Sequence, residues 1–209
     1  IKAADGSIIP KDELIESVKC NENGSVVFAT DLPIGAKLYV KEIQTDSHYI
    51  LSDEVYPVNF EYAGQTVAVV EITVNDGDSI HNEIIRGNII GKKLDEDGNT
   101  IIGALFGLFR ENETGFTEDT AIQVAESGED GVFSFEDVPY GRWIVREIKA
   151  APAYVLNENN YAVTVNKDGE IIEITIENEF ITGSVTTTKV DKEFPDNKLT
   201  GAVLFFLRS

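Results

Sequence analysis

The sequence is short of basic residues, of cysteine and of any long apolar run, and each shortage excludes something. Only 17 lysines and arginines stand against 37 aspartates and glutamates, a formal net charge of −20. A chain this acidic repels phosphate backbones and anionic lipid, so no nucleic-acid partner and no membrane-surface binding are expected. One cysteine, Cys20, excludes an internal disulfide framework, so any covalent reinforcement must use other chemistry. No apolar stretch reaches transmembrane length, and no membrane insertion is expected in this segment. Gly-rich phosphate loops, nucleophile elbows and metal clusters are missing too, and His48 and His81 stand alone in sequence. Neither a metal nor a cofactor is expected, and an enzyme is the weakest reading. "DEDGNT" (Asp95 to Thr100) has calcium-like acidic spacing, but no bidentate glutamate follows at loop distance, and it reads as a hairpin turn. The start at Ile1 and the stop at Ser209 in mid-pattern read as a piece of something longer.

Helical periodicity is nearly absent as well. The one candidate, "PKDELIESVK" (Pro10 to Lys19), opens with proline and acidic residues and predicts about two turns. Elsewhere, short alternating segments recur between turn signals. They are "GSVVFAT", "AKLYVKEI", "YPVNFEY", "QTVAVVEITV", "GALFGLF", "GVFSFEDV", "RWIVREI", "YAVTV" and "IIEITIEN". "NENG", "EDG", "NDGD" and "KDG" separate them, and Gly and Asn tolerate the positive φ that tight turns need. Many short strands with regular turns predict an all-β, antiparallel sandwich or barrel.

The chain also repeats itself. "NEIIRGNIIGKKLD" (Asn82 to Asp95) matches "NEFITGSVTTTKVD" (Asn178 to Asp191) at an offset of 96 residues. "IIGALFGLFR" (Ile101 to Arg110) matches "LTGAVLFFLR" (Leu199 to Arg208), and "LPIGAKLYVKEIQTDSHYIL" matches "VPYGRWIVREIKAAPAYVL" with one residue extra. A period near 100 residues predicts tandem domains and not a solenoid of small units. The expected boundaries are 1–86, a module without its first strands; 87–182, a complete module of about seven strands; and 183–209, the opening strands of a third.

Three residues break the alternation. Ile172, Ile174 and Ile176 share a strand face that continues to Asn178; Trp143 and Val145 share one that continues to Glu147; Ile89 and Gly91 share one that continues to Lys93. In the first copy Leu38 and Val40 lead to Glu42, and Ile80 leads to Asn82; in the third, Val185 and Thr187 lead to Lys189. Burial of such groups has a specific chemistry, because leaving water favours the neutral, nucleophilic amine of lysine and the protonated carboxylic acid. A protonated Glu147 that hydrogen-bonds the Asn178 amide oxygen would make its carbon electrophilic. Lys93 would then attack, ammonia would leave, and a Lys–Asn amide would remain. Each residue also has an ordinary reading: Asn178 as a strand cap, Lys93 snorkelling to solvent, Glu147 as its salt-bridge partner.

"GNIIGKKLDEDGNTIIGALFGLF", "GVFSFEDVPYG", "REIKAAPAYVL" and the closing "IEN" together resemble the collagen-adhesin B-type, SpaA-like pilin domains of Gram-positive surface proteins. The resemblance runs through the whole middle copy and the visible parts of the others. It implies compact Ig-like or prealbumin-like β-sandwiches carrying intramolecular isopeptide bonds. By motif it assigns the crosslinking lysine to Lys93, the catalytic acid to Glu147 and the closing asparagine to Asn178. Glu42 and Asn82 take the latter two roles in the first copy, and Lys189 the first role in the third. At the position before tyrosine where the family usually has glycine, this chain has Ala153 and His48. The implied protein is the stalk of an adhesin or part of a pilus shaft, extracellular and attached to the cell wall. Its partners would be neighbouring modules, with head-to-tail self-association as one possibility. The alternative is a ligand-binding module that recognises a host protein or glycan, but the aromatics fall mostly on strand faces or turns that a core would use.

Two further motifs are weak. "LPIGA" (Leu32 to Ala36) lacks the threonine and apolar anchor of a sorting signal and reads as a turn. "YPVN" (Tyr56 to Asn59) has Val58 where a pilin-polymerisation motif needs lysine.

Overall fold

The computed structural model describes residues 6, 8–30, 37–59, 61, 63–67 and 70–207; the "LPIGA" turn falls outside them. Contacts divide the chain into two compact units: Ile1–Asn88 with Asp137–Gly141 and Thr164–Glu170, and Ile89–Glu136 with Arg142–Val163 and Ile171–Ser209.

In the first unit, strands β1 (Lys37–Lys41) and β2 (Val55–Asn59) pair antiparallel, with Leu38 opposite Val58 and Val40 opposite Tyr56. "YPVN" is therefore ladder. The expected helix at Pro10–Lys19 does not form. The stretch is too short to recover the cost of nucleation, and its apolar residues Leu14, Ile15 and Val18 stay exposed. The Glu16 carboxylate instead bonds the N–H groups of Ala29 and Thr30 at 3.0 and 2.9 Å and the Thr30 hydroxyl at 2.7 Å. These bonds tie the segment to Ala29 and Thr30. "GSVVFAT" and the described part of "QTVAVVEITV" form no strand, because alternation alone does not make a ladder without a paired neighbour. The helical content of the described chain is a single 3-10 turn at Asn75–Gly77.

Residues 86–178 form seven strands: β3 (Arg86–Asp95), β4 (Leu105–Arg110), β5 (Gln123–Glu126), β6 (Val132–Pro139), β7 (Gly141–Lys149), β8 (Tyr161–Val165) and β9 (Ile171–Asn178). One sheet has the order β6-β3-β9 and the other β5-β4-β7-β8. The protein is all-β, and this part is a sandwich. β5 was not evident from sequence, since "QVAE" carries a single strong strand former and sits at a sheet edge.

The core lies between the sheets. Phe106 of β4 stacks on Phe133 of β6 at 3.8 Å between centroids, and Ile89, Leu108, Phe109, Phe135, Val145 and Ile176 are buried around them. Gly91 makes the stack possible: a Cβ there would lie 2.0 Å from Cζ of Phe133. The glycine on the inner face of β3 is thus a slot for a ring.

The turn that follows β3 is built on Asp95, whose carboxylate accepts the N–H groups of Asp97 and Asn99 at 3.0 and 2.8 Å. Burial opposes ionisation of Asp95, but these bonds outweigh it and hold the carboxyl below its usual range. Between β7 and β8, Ala153 adopts φ +76°, the left-handed conformation that suits glycine. An L-residue loses about 1–2 kcal/mol there, partly offset by the greater freedom of glycine in the unfolded chain. Ala153→Gly is expected to raise stability by about 0.5–1 kcal/mol in urea denaturation; an unchanged or lower midpoint would contradict this. His48, at the matching place in the first copy, has no positive φ and needs no glycine.

Candidate functional site

Lys93 on β3, Glu147 on β7 and Asn178 on β9 converge in the second unit. β3 and β9 are adjacent strands of one sheet, and β7 faces them from the other. Strand alternation explains the convergence: odd-numbered residues of β3 and β7, and even-numbered residues of β9, turn inward. All three side chains are buried, at 0%, 1% and 3% exposure for Lys93, Glu147 and Asn178. Lys93 therefore does not snorkel to solvent.

Lys93 Nζ donates to Asn178 Oδ1 at 2.5 Å and to the carbonyl of Ile176 at 3.4 Å. Asn178 Nδ2 donates to both carboxylate oxygens of Glu147, each at 2.9 Å, and Lys93 Nζ lies 3.7 Å from Glu147 Oε1. The amide is oriented opposite to the sequence expectation. Its nitrogen, and not its oxygen, faces the acid: Nδ2 donates towards the carboxyl oxygens, while the amine donates to Oδ1. Burial pulls the Lys93 amine down from 10.5 to about 8, against the opposing pull of Glu147. An amine, a carboxamide and a carboxyl group thus meet, all three buried.

One supporting residue escaped the sequence reading. The Asn157 N–H donates to Glu147 Oε2 at 2.7 Å, and its side chain donates to the Tyr161 hydroxyl at 3.0 Å and the Glu177 carbonyl at 2.8 Å. It ties the acid to β9. The signal was the matched spacing of ten residues, since Ser52 N–H donates to Glu42 Oε2 at 3.1 Å in the first unit. A polar depression lined by Glu96, Asn157, Tyr161, Thr175 and Glu177 adjoins Asn178.

Glu42 and Asn82 also meet. Asn82 Nδ2 donates to the two Glu42 oxygens at 3.0 and 2.8 Å and to Thr45 Oγ1 at 2.6 Å. Lys189 is exposed. The 183–207 stretch forms no strand, only a Val190–Lys198 bridge, for the same want of a paired neighbour among the described residues.

Residues 87–180 match the family model of the SpaA prealbumin-like fold domain. Among solved structures, the chain is similar to the Bacillus anthracis TIE protein at 28% identity and a TM-score of 0.61, over 77% of this chain and 28% of that one. Alignments of lower score link it to GBS52, the minor pilin of Streptococcus agalactiae, at 20% identity and a TM-score of 0.42, over 65% of this chain and 63% of that one. BcpA, the major pilin subunit of Bacillus cereus, aligns at 19% identity and a TM-score of 0.42, over 72% and 41% of the two chains. The chain spans less than two thirds of the length of each. Among curated proteins nothing matches. With a seven-stranded sandwich occupying the same residues as the family match, residues 87–180 belong to the SpaA family of prealbumin-like domains.

Proposed function

We propose that this chain is a segment of the stalk or shaft of a Gram-positive cell-wall-attached surface protein, built of tandem modules and stiffened by an autocatalytic Lys93–Asn178 isopeptide bond. The observation that carries the reading is the buried contact of Lys93, Glu147 and Asn178. A lone buried lysine is costly, and a sandwich has no packing need for three polar groups in its core.

The reaction follows from the contacts. Lys93 Nζ, as the neutral amine, adds to Cγ of Asn178. The proton it sheds passes through Glu147, which already bonds Nδ2, to that nitrogen. The Cγ–Nδ2 bond breaks and ammonia leaves, with the polar depression beside Asn178 as its way out. One C–N bond forms and one breaks, and no oxidant or cofactor is consumed. Fixed geometry replaces encounter, which removes much of the barrier. The event happens once per molecule and is maturation, not turnover.

The mechanical role follows from topology. A bond between adjacent strands at the two ends of the domain's sequence carries tension covalently, where a hydrogen-bonded pair would peel. The proposed module boundaries remain 1–86, 87–182 and 183–209, supported by the paired Glu42–Asn82 contact and by the turn at Asp191, where Asp191 N–H donates to Asn197 O at 2.9 Å as Asp95 N–H does to Asn99 O at 2.8 Å.

Intact mass tests the reading. The chain is expected about 17 Da below its sequence mass, the ammonia lost. Glu147→Ala and Lys93→Ala are expected at full sequence mass for their compositions. A wild-type chain without the deficit refutes the crosslink, and a Glu147→Ala chain that retains it refutes the role of the acid.

A further inference from the structure

The two carboxyl oxygens of Glu147 have different surroundings, and the meaning of that difference rests on the crosslinking chemistry assigned to Lys93 and Asn178. Asn178 Nδ2 donates to both oxygens, at 2.9 Å each. Oε1 also lies 3.7 Å from Lys93 Nζ. Oε2 accepts the Asn157 N–H at 2.7 Å, a shorter bond than either one from Asn178. A carboxylate oxygen has two lone pairs. Both lone pairs of Oε2 therefore have an N–H donor, while Oε1 keeps one for the amine. Oε1 is also within reach of the two nitrogens between which a proton must move.

Asn157 is itself held from three sides. Its Nδ2 donates to the Tyr161 hydroxyl and the Glu177 carbonyl, and its Oδ1 accepts the Asn159 N–H at 3.0 Å. Glu177 precedes Asn178 on β9, so the residue that grips the acid is fixed to the strand that carries the amide. The rest of the β7–β8 connection is bound to the same strands. Val155 N–H donates to Glu179 O at 2.9 Å and Ile181 N–H to Ala153 O at 2.8 Å, and the Tyr154 ring stacks on Phe180 at 4.7 Å. Burial, with the charge of Asp95 and a hydrogen bond to it, holds the Tyr154 hydroxyl above its usual range. Asp95 stands two residues beyond Lys93 on the buried face of β3. The connection thus touches β3, β7 and β9, each within two residues of a reacting group.

We propose that Asn157 is a positioning residue for the crosslink: by holding Oε2 of Glu147 it makes Oε1 the atom that carries the proton from Lys93 to Asn178. As Nζ adds to Cγ of Asn178, its proton moves to Oε1. Oε1 then passes that proton to Nδ2, the Cγ–Nδ2 bond breaks, ammonia leaves, and Glu147 is a carboxylate again. A glutamate carboxyl group turns easily about its last bond, whose torsion is broad and roughly two-fold. The Asn157 N–H removes that freedom before the reaction starts. A misplacement of about 1 Å at a reacting centre can cost about a hundredfold in rate, so the grip on Oε2 bears directly on the speed of maturation.

Full-length chains made by cell-free translation and quenched in acid at intervals give the rate at which the deficit of about 17 Da appears. Asn157→Ala is expected to slow it about tenfold or more in a chain that stays folded. The bond forms inside the folded domain, so a variant that merely loses stability slows only in proportion to its unfolded fraction. Asn157→Ser keeps one side-chain donor and should fall between the two; it decides the matter alone if Asn157→Ala does not fold. The second readout is the Asn157 amide proton in Asn178→Ala, a chain that cannot react. Its bond to a carboxylate should place the resonance downfield, and adding Glu147→Gln should move it upfield. Equal rates in the wild-type chain and the folded Asn157 variants, or a resonance that ignores Glu147→Gln, overturn the proposal. With equal rates and a deficit present, only the role of Asn157 falls. A wild-type chain that never shows the deficit refutes the Lys93–Asn178 reading, and the role of Asn157 falls with it.

Discussion

Glu147→Gln is expected to lower the melting temperature of the 87–180 domain by roughly 20–30 °C while leaving it folded. The substitution keeps the shape of the side chain and takes away the proton carrier, so the proposed bond should not form. A crosslink between Lys93 and Asn178 closes a loop of 85 residues. Closing such a loop removes unfolded-state entropy worth about 4–5 kcal/mol on the chain-entropy estimate. For a domain of this size each kcal/mol moves the midpoint by about 4–8 °C. The core of Phe106, Phe133, Leu108 and Ile176 is untouched by the change, so cooperative unfolding should persist. Calorimetry of the two proteins at equal concentration checks it. Equal midpoints, with both proteins at their full sequence masses, would mean that the buried triad is only a polar contact.

The second large effect is a pH dependence that distinguishes the uncrosslinked chain from the crosslinked one. Asn178→Ala leaves Lys93 a free, buried amine. Its folded value of about 8 lies below the unfolded value of 10.5 because burial disfavours the ammonium. Between those values the unfolded chain binds more protons than the folded one, so stability rises with pH. Below a pH of about 8 the cost of burying the charge is fully present, and it is relieved as pH climbs towards 10.5. The full swing is on the order of 3 kcal/mol, at about 1.36 kcal/mol per unit. In the crosslinked chain Lys93 is an amide nitrogen and does not titrate. Urea midpoints of Asn178→Ala relative to wild type, taken from about pH 7 to 10, should therefore converge as pH rises. Parallel curves would show that Lys93 is not held in a dry site.

Much of the site was legible because period-two alternation is a local property of the chain. Once β3, β7 and β9 are strands, Lys93, Glu147 and Asn178 must share faces with Ile89, Val145 and Ile176, and the 96-residue offset repeats that arrangement. The same locality explains the failures. Pro10–Lys19 carries helical signals, but a helix that short depends on packing, and Glu16 found its partners at Ala29 and Thr30. "GSVVFAT" alternates as well as β8 does, yet a strand exists only where another strand pairs with it. β5 forms despite weak residues because β4 offers its edge.

The sequence by itself determined the all-β class, the repeat, the acidic surface and the three polar residues that interrupt apolar faces, since each depends on residue type and spacing alone. Only the tertiary structure decided that the three meet within hydrogen-bonding distance, that the amide nitrogen and not its oxygen faces Glu147, and that Asn157 holds the acid in place. It also decided that Gly91 makes room for the ring of Phe133. Those facts depend on how two sheets stack, and stacking is set by side chains far apart in the chain.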